Sequence, residues 1–102
     1  MENFYDLKID GETITVKIEN GKTAELFLDD EKVTIDFDGN VGGNASLVQN
    51  VSRLDNAPSI TKSSATDKAE IDGILRTCCR LGNRRWCISG GCANTPCGWI
   101  CG

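Results

Sequence analysis

From Tyr5 to Phe37 apolar and polar residues alternate, the period of a strand with one buried face. Four runs follow one another: Tyr5, Leu7 and Ile9; Ile14, Val16 and Ile18; Ala24, Leu26 and Leu28; Val33, Ile35 and Phe37. Asp10-Gly11 and Asn20-Gly21 separate the first three, and such dipeptides best tolerate the positive φ angles of a tight hairpin turn. Asp29-Asp30 and Asp38-Gly39 supply the next turn and the exit, while Lys8, Lys17, Glu19 and Asp36 fall on the opposite side of the pleat. The pattern predicts a meander of four antiparallel strands, paired in sequence order, with one face to bury.

Beyond residue 44 the period changes. Leu47, Val48, Val51 and Leu54 lie at helical spacing, and Ser46 with Gln49 three residues on has the form of a capping box, so a short helix over roughly 47 to 55 is expected to cover the sheet. Pro58 breaks that pattern, and the Ser, Thr, Ala and Pro of residues 57 to 66 read as a mobile linker. Ser64 or Thr66 is placed to start a second short helix through Ala69, Ile71, Ile74 and Leu75. The fold class expected is therefore a small α+β or all-β protein: a four-stranded antiparallel meander with a short helix, a linker and then a small disulfide-rich C-terminal peptide. The domain division is 1 to 56 as an acidic β-rich part of leader or propeptide type, 57 to 76 as linker and processing region, and 77 to 102 as a basic cysteine-rich peptide.

Charge sharpens this division. Residues 1 to 40 hold 11 acids and 4 bases, whereas residues 74 to 102 hold 4 arginines and no acid. With 102 residues there is room for one small domain, and no apolar stretch is long enough for a membrane-spanning helix. Histidine is absent, which removes the commonest general base and every mixed Cys/His zinc site. No nucleophile sits beside an identifiable base and no phosphate loop is present, so a catalytic role is not expected, nor a cofactor.

All six cysteines, Cys78, Cys79, Cys87, Cys92, Cys97 and Cys101, lie in the last quarter of the chain. Zinc knuckles place two residues between paired cysteines, and no such pair occurs; redox enzymes use the same Cys-x-x-Cys spacing. An even number in a short Gly-rich segment fits disulfides, which points to an oxidising compartment and a secreted protein. A bond between the adjacent Cys78 and Cys79 is set aside, and the remaining connectivities stay open.

Arg80, Arg84 and Arg85, with Trp86 and Trp99, form the candidate target-binding set. Guanidinium groups are drawn to phosphates while indole settles at a lipid interface, so an anionic membrane surface is one target. An acidic groove on a protein receptor is the other, since Trp and Arg are favoured at binding hot spots. Nucleic acid is not expected, because four arginines in a chain of net charge −4 make a weak footprint. The bland alternative is that the arginines only keep the segment soluble and the tryptophans fill its small core.

An acidic N-terminal part, a polar linker and a basic cysteine-rich end together resemble a ribosomally made peptide precursor. The order Cys78-Cys79, Cys87, Cys92, Cys97, Cys101-Gly102 resembles the cysteine frameworks of venom peptides such as conotoxins. That resemblance implies processing at Arg76-Thr77 and Gly102 as an amidation donor. Cys79-Arg80-Leu81-Gly82-Asn83, followed by Trp86-Cys87, is similar to the opening of one partner in two-component lanthipeptide bacteriocins. That one implies thioether rings from Thr77, Ser89 and Thr95 and a maturation enzyme that reads the N-terminal part, for instance by β-strand addition. Gly42-Gly43 resembles the double-glycine site of bacterial peptide exporters. The expected function is thus the precursor of an antimicrobial or toxin-like peptide, with a protease and an exporter as further partners. A metal-binding adaptor is the remaining alternative.

Overall fold

The computed structural model describes residues 1–102. The strands are β1 (Glu2–Ile9), β2 (Glu12–Glu19), β3 (Thr23–Leu28), β4 (Glu31–Asp36), β5 (Val41–Gly43) and β6 (Val48–Arg53). They continue as β7 (Asp67–Ile71), β8 (Ile74–Leu81), β9 (Arg84–Ser89), β10 (Gly91–Thr95) and β11 (Gly98–Cys101). Two sheets result, a five-stranded one in the order β11-β10-β2-β1-β6 and a six-stranded one in the order β5-β4-β3-β9-β8-β7, with every ladder antiparallel.

The inner faces share one core. Tyr5, Leu7, Ile9, Ile14, Val16, Ile18, Ala93 and Ile100 come from one sheet, while Ala24, Leu26, Leu28, Ile35, Cys79, Trp86 and Ile88 come from the other. Alternation in each strand supplies these residues, and the two faces meet as in a β-sandwich. Trp86 is the largest side chain sealed in this core.

The structure corrects the expected fold class. The four N-terminal strands exist, but they do not make a four-stranded meander, because β1 pairs with β2 in one sheet and β3 with β4 in the other. Asp10-Gly11 does close a hairpin, with φ of 52° and 80°. Asn20-Gly21 instead turns the chain from one sheet into the other, where the Lys22 N–H donates to the Glu19 carbonyl. The covering helix is absent: Ala45–Leu47 is one 3-10 turn and Val48–Arg53 is a strand beside β1. The second helix is absent as well, since its residues form the β7–β8 hairpin.

Nor is the C-terminal segment a separate peptide. β9 inserts beside β3, β10 beside β2, and each completes a sheet whose other half comes from residues 1–53. The chain changes sheets again at Gly90-Gly91, which nests against the first corner. A Cβ on Gly90 would sit 2.3 Å from the Thr23 carbonyl oxygen, and one on Gly91 2.3 Å from that of Lys17, so only glycine permits this approach.

Candidate functional site

The six cysteines form three disulfides: Cys78–Cys87, Cys79–Cys97 and Cys92–Cys101. Cys78 and Cys87 stand directly opposite each other in the β8–β9 ladder, and Cys92 and Cys101 do so in β10–β11. Cys79 points into the core and bridges β8 to the turn between β10 and β11, so this bond ties the two sheets together. Thr95 caps it, its hydroxyl lying 3.3 Å from Cys79 Sγ and donating to the Gly98 carbonyl.

Alternation sorts the remaining candidates by face. Because Cys79 and Trp86 point inward as register partners, Arg80 and Arg85, the next pair along, point outward and lie side by side. Leu81 and Arg84 follow at the hairpin tip, and Leu81 is 54% exposed. Arg84 reaches across the end of the sandwich to form an ion pair with Asp10 in the β1–β2 turn. Asp29, in the β3–β4 turn, accepts the backbone N–H of Arg85 at 3.1 Å and gives its own N–H to the Arg85 carbonyl at 2.8 Å. No carboxylate pairs with the guanidinium of Arg80 or Arg85; the five ion pairs of the protein involve other residues.

The tryptophans are not with them. Trp86 is 1% exposed inside the core and Trp99 is 7% exposed beneath the connection that follows β6. That connection leaves one edge of the five-stranded sheet, where the Leu54 N–H donates to Phe4, and arrives at the opposite edge, where the Ser63 N–H donates to Trp99. Phe4 and Trp99 lie outside the central core and are buried as well.

Arg76 and Thr77 are buried within β8. Arg76 lies on the outer face of the six-stranded sheet, over the Phe27 ring at 4.8 Å, donating to Ser89 Oγ at 2.9 Å and pairing with Glu25 at 3.1 Å. Ala69 and Ile71 of β7 pack on the neighbouring Phe27–Cys78–Cys87 cluster, so this part of the outer face is a second, small core. The sequence carried no signal for it, because Glu25, Phe27 and Arg76 meet only after β9 inserts between β3 and β8.

Comparison with family models, with curated proteins and with solved structures finds no match to this chain.

What the geometry leaves available is therefore narrow. Of the five target-binding candidates, Arg80 and Arg85 have unpaired charges on one outward surface, Arg84 closes the end of the fold, and both indoles are internal.

Proposed function

We propose that the intact, disulfide-closed sandwich is a secreted recognition module, not a catalyst, and that it docks an acidic surface of a protein receptor through Arg80 and Arg85. The observation that carries this reading is their placement as direct cross-strand neighbours with neither guanidinium in an ion pair; the Asp29 carboxylate beside Arg85 is taken up by that residue's backbone N–H. Like charges directly opposite each other destabilise a ladder, so an anionic partner relieves a cost already present in the fold.

A protein receptor is favoured over a membrane because the indoles that would anchor at a lipid interface are buried. The three disulfides suit an oxidising environment, and secretion is the simplest route to one. Action by the intact chain, rather than by a released peptide, is favoured by the strands themselves. Separation at Arg76-Thr77 would strip β9 from β3 and β10 from β2 and open the shared core.

The test is an NMR titration of the oxidised chain with an oligoglutamate peptide and, separately, with phosphatidylglycerol vesicles. Salt-sensitive shifts centred on Arg80 and Arg85 with the peptide are expected, and an Arg80→Gln/Arg85→Gln variant should lose them. Binding to vesicles alone, or to neither probe, overturns the reading.

A further inference from the structure

A sheet edge is a row of unpaired backbone groups, and proteins ordinarily cover it, bulge it or keep it short. Three of the four edges here are managed in one of those ways. β5 has only three residues, β6 carries a register irregularity opposite Lys8 and Ile9, and β11 is flanked by Lys62 and Ser63. β7 is the exception: a five-residue edge strand with regular register, no proline, and no backbone hydrogen bond beyond its ladder to β8.

The direction of its peptide groups follows from the hairpin. Ile71 and Ile74 flank the two-residue Asp72-Gly73 turn, so they are a hydrogen-bonded pair, and alternation makes Ala69 and Asp67 the next residues bonded to β8. The N–H and C=O groups of Lys68 and Glu70 consequently point away from the sheet. An incoming antiparallel strand must bond to those two residues.

A second copy of β7 can do so in three registers, set by the residue on the two-fold axis. With Lys68 on the axis, lysine faces lysine; with Glu70 there, glutamate faces glutamate. With Ala69 there, Lys68 of each copy faces Glu70 of the other, both as hydrogen-bonded pairs, and the smallest side chain of the strand sits at the centre. Opposite charges directly across a ladder are favourable and like charges unfavourable, so the sequence Asp67-Lys68-Ala69-Glu70-Ile71 selects the last arrangement. Charges on an edge usually repel a second strand; here their order makes the edge complementary to itself.

We propose that the protein forms a two-fold symmetric dimer by antiparallel pairing of β7 with β7, with Ala69 on the axis, which joins the two six-stranded sheets into one. The interface is isologous and closes, so it ends at two copies.

Sedimentation equilibrium of the full oxidised chain from micromolar to millimolar concentration reads the association, and amide exchange of Lys68 and Glu70 reads its location. A dimer that dissociates on dilution is expected, with those two amides protected only at high concentration. Lys68→Glu and Glu70→Lys should each weaken it by roughly tenfold or more, and the double exchange should restore it. Glu70→Pro removes an N–H that the monomer does not use, so it should abolish association while the β8–β9 cross-strand contacts persist. A chain monomeric at millimolar concentration, or a dimer indifferent to all these substitutions, overturns the proposal. So would protection of the two amides by an unrelated strand peptide with no self-association.

Discussion

Arg76 and Glu25 meet on the outer face of the six-stranded sheet, a guanidinium nitrogen 3.1 Å from a carboxylate oxygen, with the arginine side chain 1% and the glutamate side chain 26% exposed. The dependence runs from Arg76 to Glu25: without Glu25 the buried guanidinium is left uncompensated in a poorly solvated site, whereas Glu25 also pairs with Lys32 at 3.6 Å. Glu25→Gln should therefore destabilise by about 3 kcal/mol. Arg76→Met in the same chain should recover much of that loss, since a neutral apolar side chain over Phe27 needs no counter-charge. Urea denaturation of the two single variants and the double variant checks this. Equal or additive losses would refute the coupling.

The bridges should differ in their access to reductant. Cys78 and Cys87 are fully buried beneath the β7 side chains, whereas Cys92 and Cys101 are partly exposed on the opposite sheet. Brief reduction followed by alkylation and peptide mass mapping should label Cys92 and Cys101 before Cys78 and Cys87. Replacing Cys79 and Cys97 together by alanine should cost about 3 kcal/mol, the loss expected for a loop of this size.

Acid should weaken the turn after β4. Asp36 accepts the backbone N–H of Asn40, its side-chain amide and the backbone N–H of Asp38, and these bonds hold its carboxyl below the ordinary carboxylate value, the Asn40 backbone first among them. A depressed folded value means the ionised form is favoured by folding. Its contribution is complete above the unfolded value of about 3.9 and is lost as pH falls through the lower folded one. Carboxyl NMR should show Asp36 titrating below the ordinary aspartate value, and Asp36→Asn should flatten the acid limb of the stability profile.

A single cut in the 54–66 connection should leave a non-covalent complex. All three bridges lie between Cys78 and Cys101, so none ties residues 1–53 to the rest. Trypsin cleavage after exposed Lys62 should give two fragments that co-migrate under native conditions and separate in urea without reductant. Arg76, 2% exposed inside β8, should resist until the protein unfolds.

Strands with one dry and one wet face wrote themselves plainly into the sequence, and Leu7, Ile14, Val16, Ile18 and Leu26 are buried where alternation puts them. Which strands pair was not legible, because Asn20-Gly21 serves equally for a hairpin and for a corner between sheets. β8 is illegible for a different reason. Arg76, Thr77, Cys78 and Cys79 are buried in succession, the first and third under the outer cluster and the fourth in the core, so no alternation survives there. The arginine cluster was visible as composition, yet Asp10 and Asp29, far away in the chain, decide how its members differ.

The interleaving of strands has a consequence for biosynthesis. As the chain emerges from its N-terminus, β1 to β6 are made first, and β2 and β3 each hold one neighbour while the side reserved for β10 or β9 stays open. Each gap is an unpaired strand edge beside an uncovered apolar inner face, the kind of surface on which nascent chains aggregate. They close only when the last quarter of the protein arrives, and with it every cysteine. A ribosome stalled before Cys78 would thus hold a half-sandwich that no oxidant could rescue, and escort by a holdase during that interval is where cellular yield of this protein should be decided.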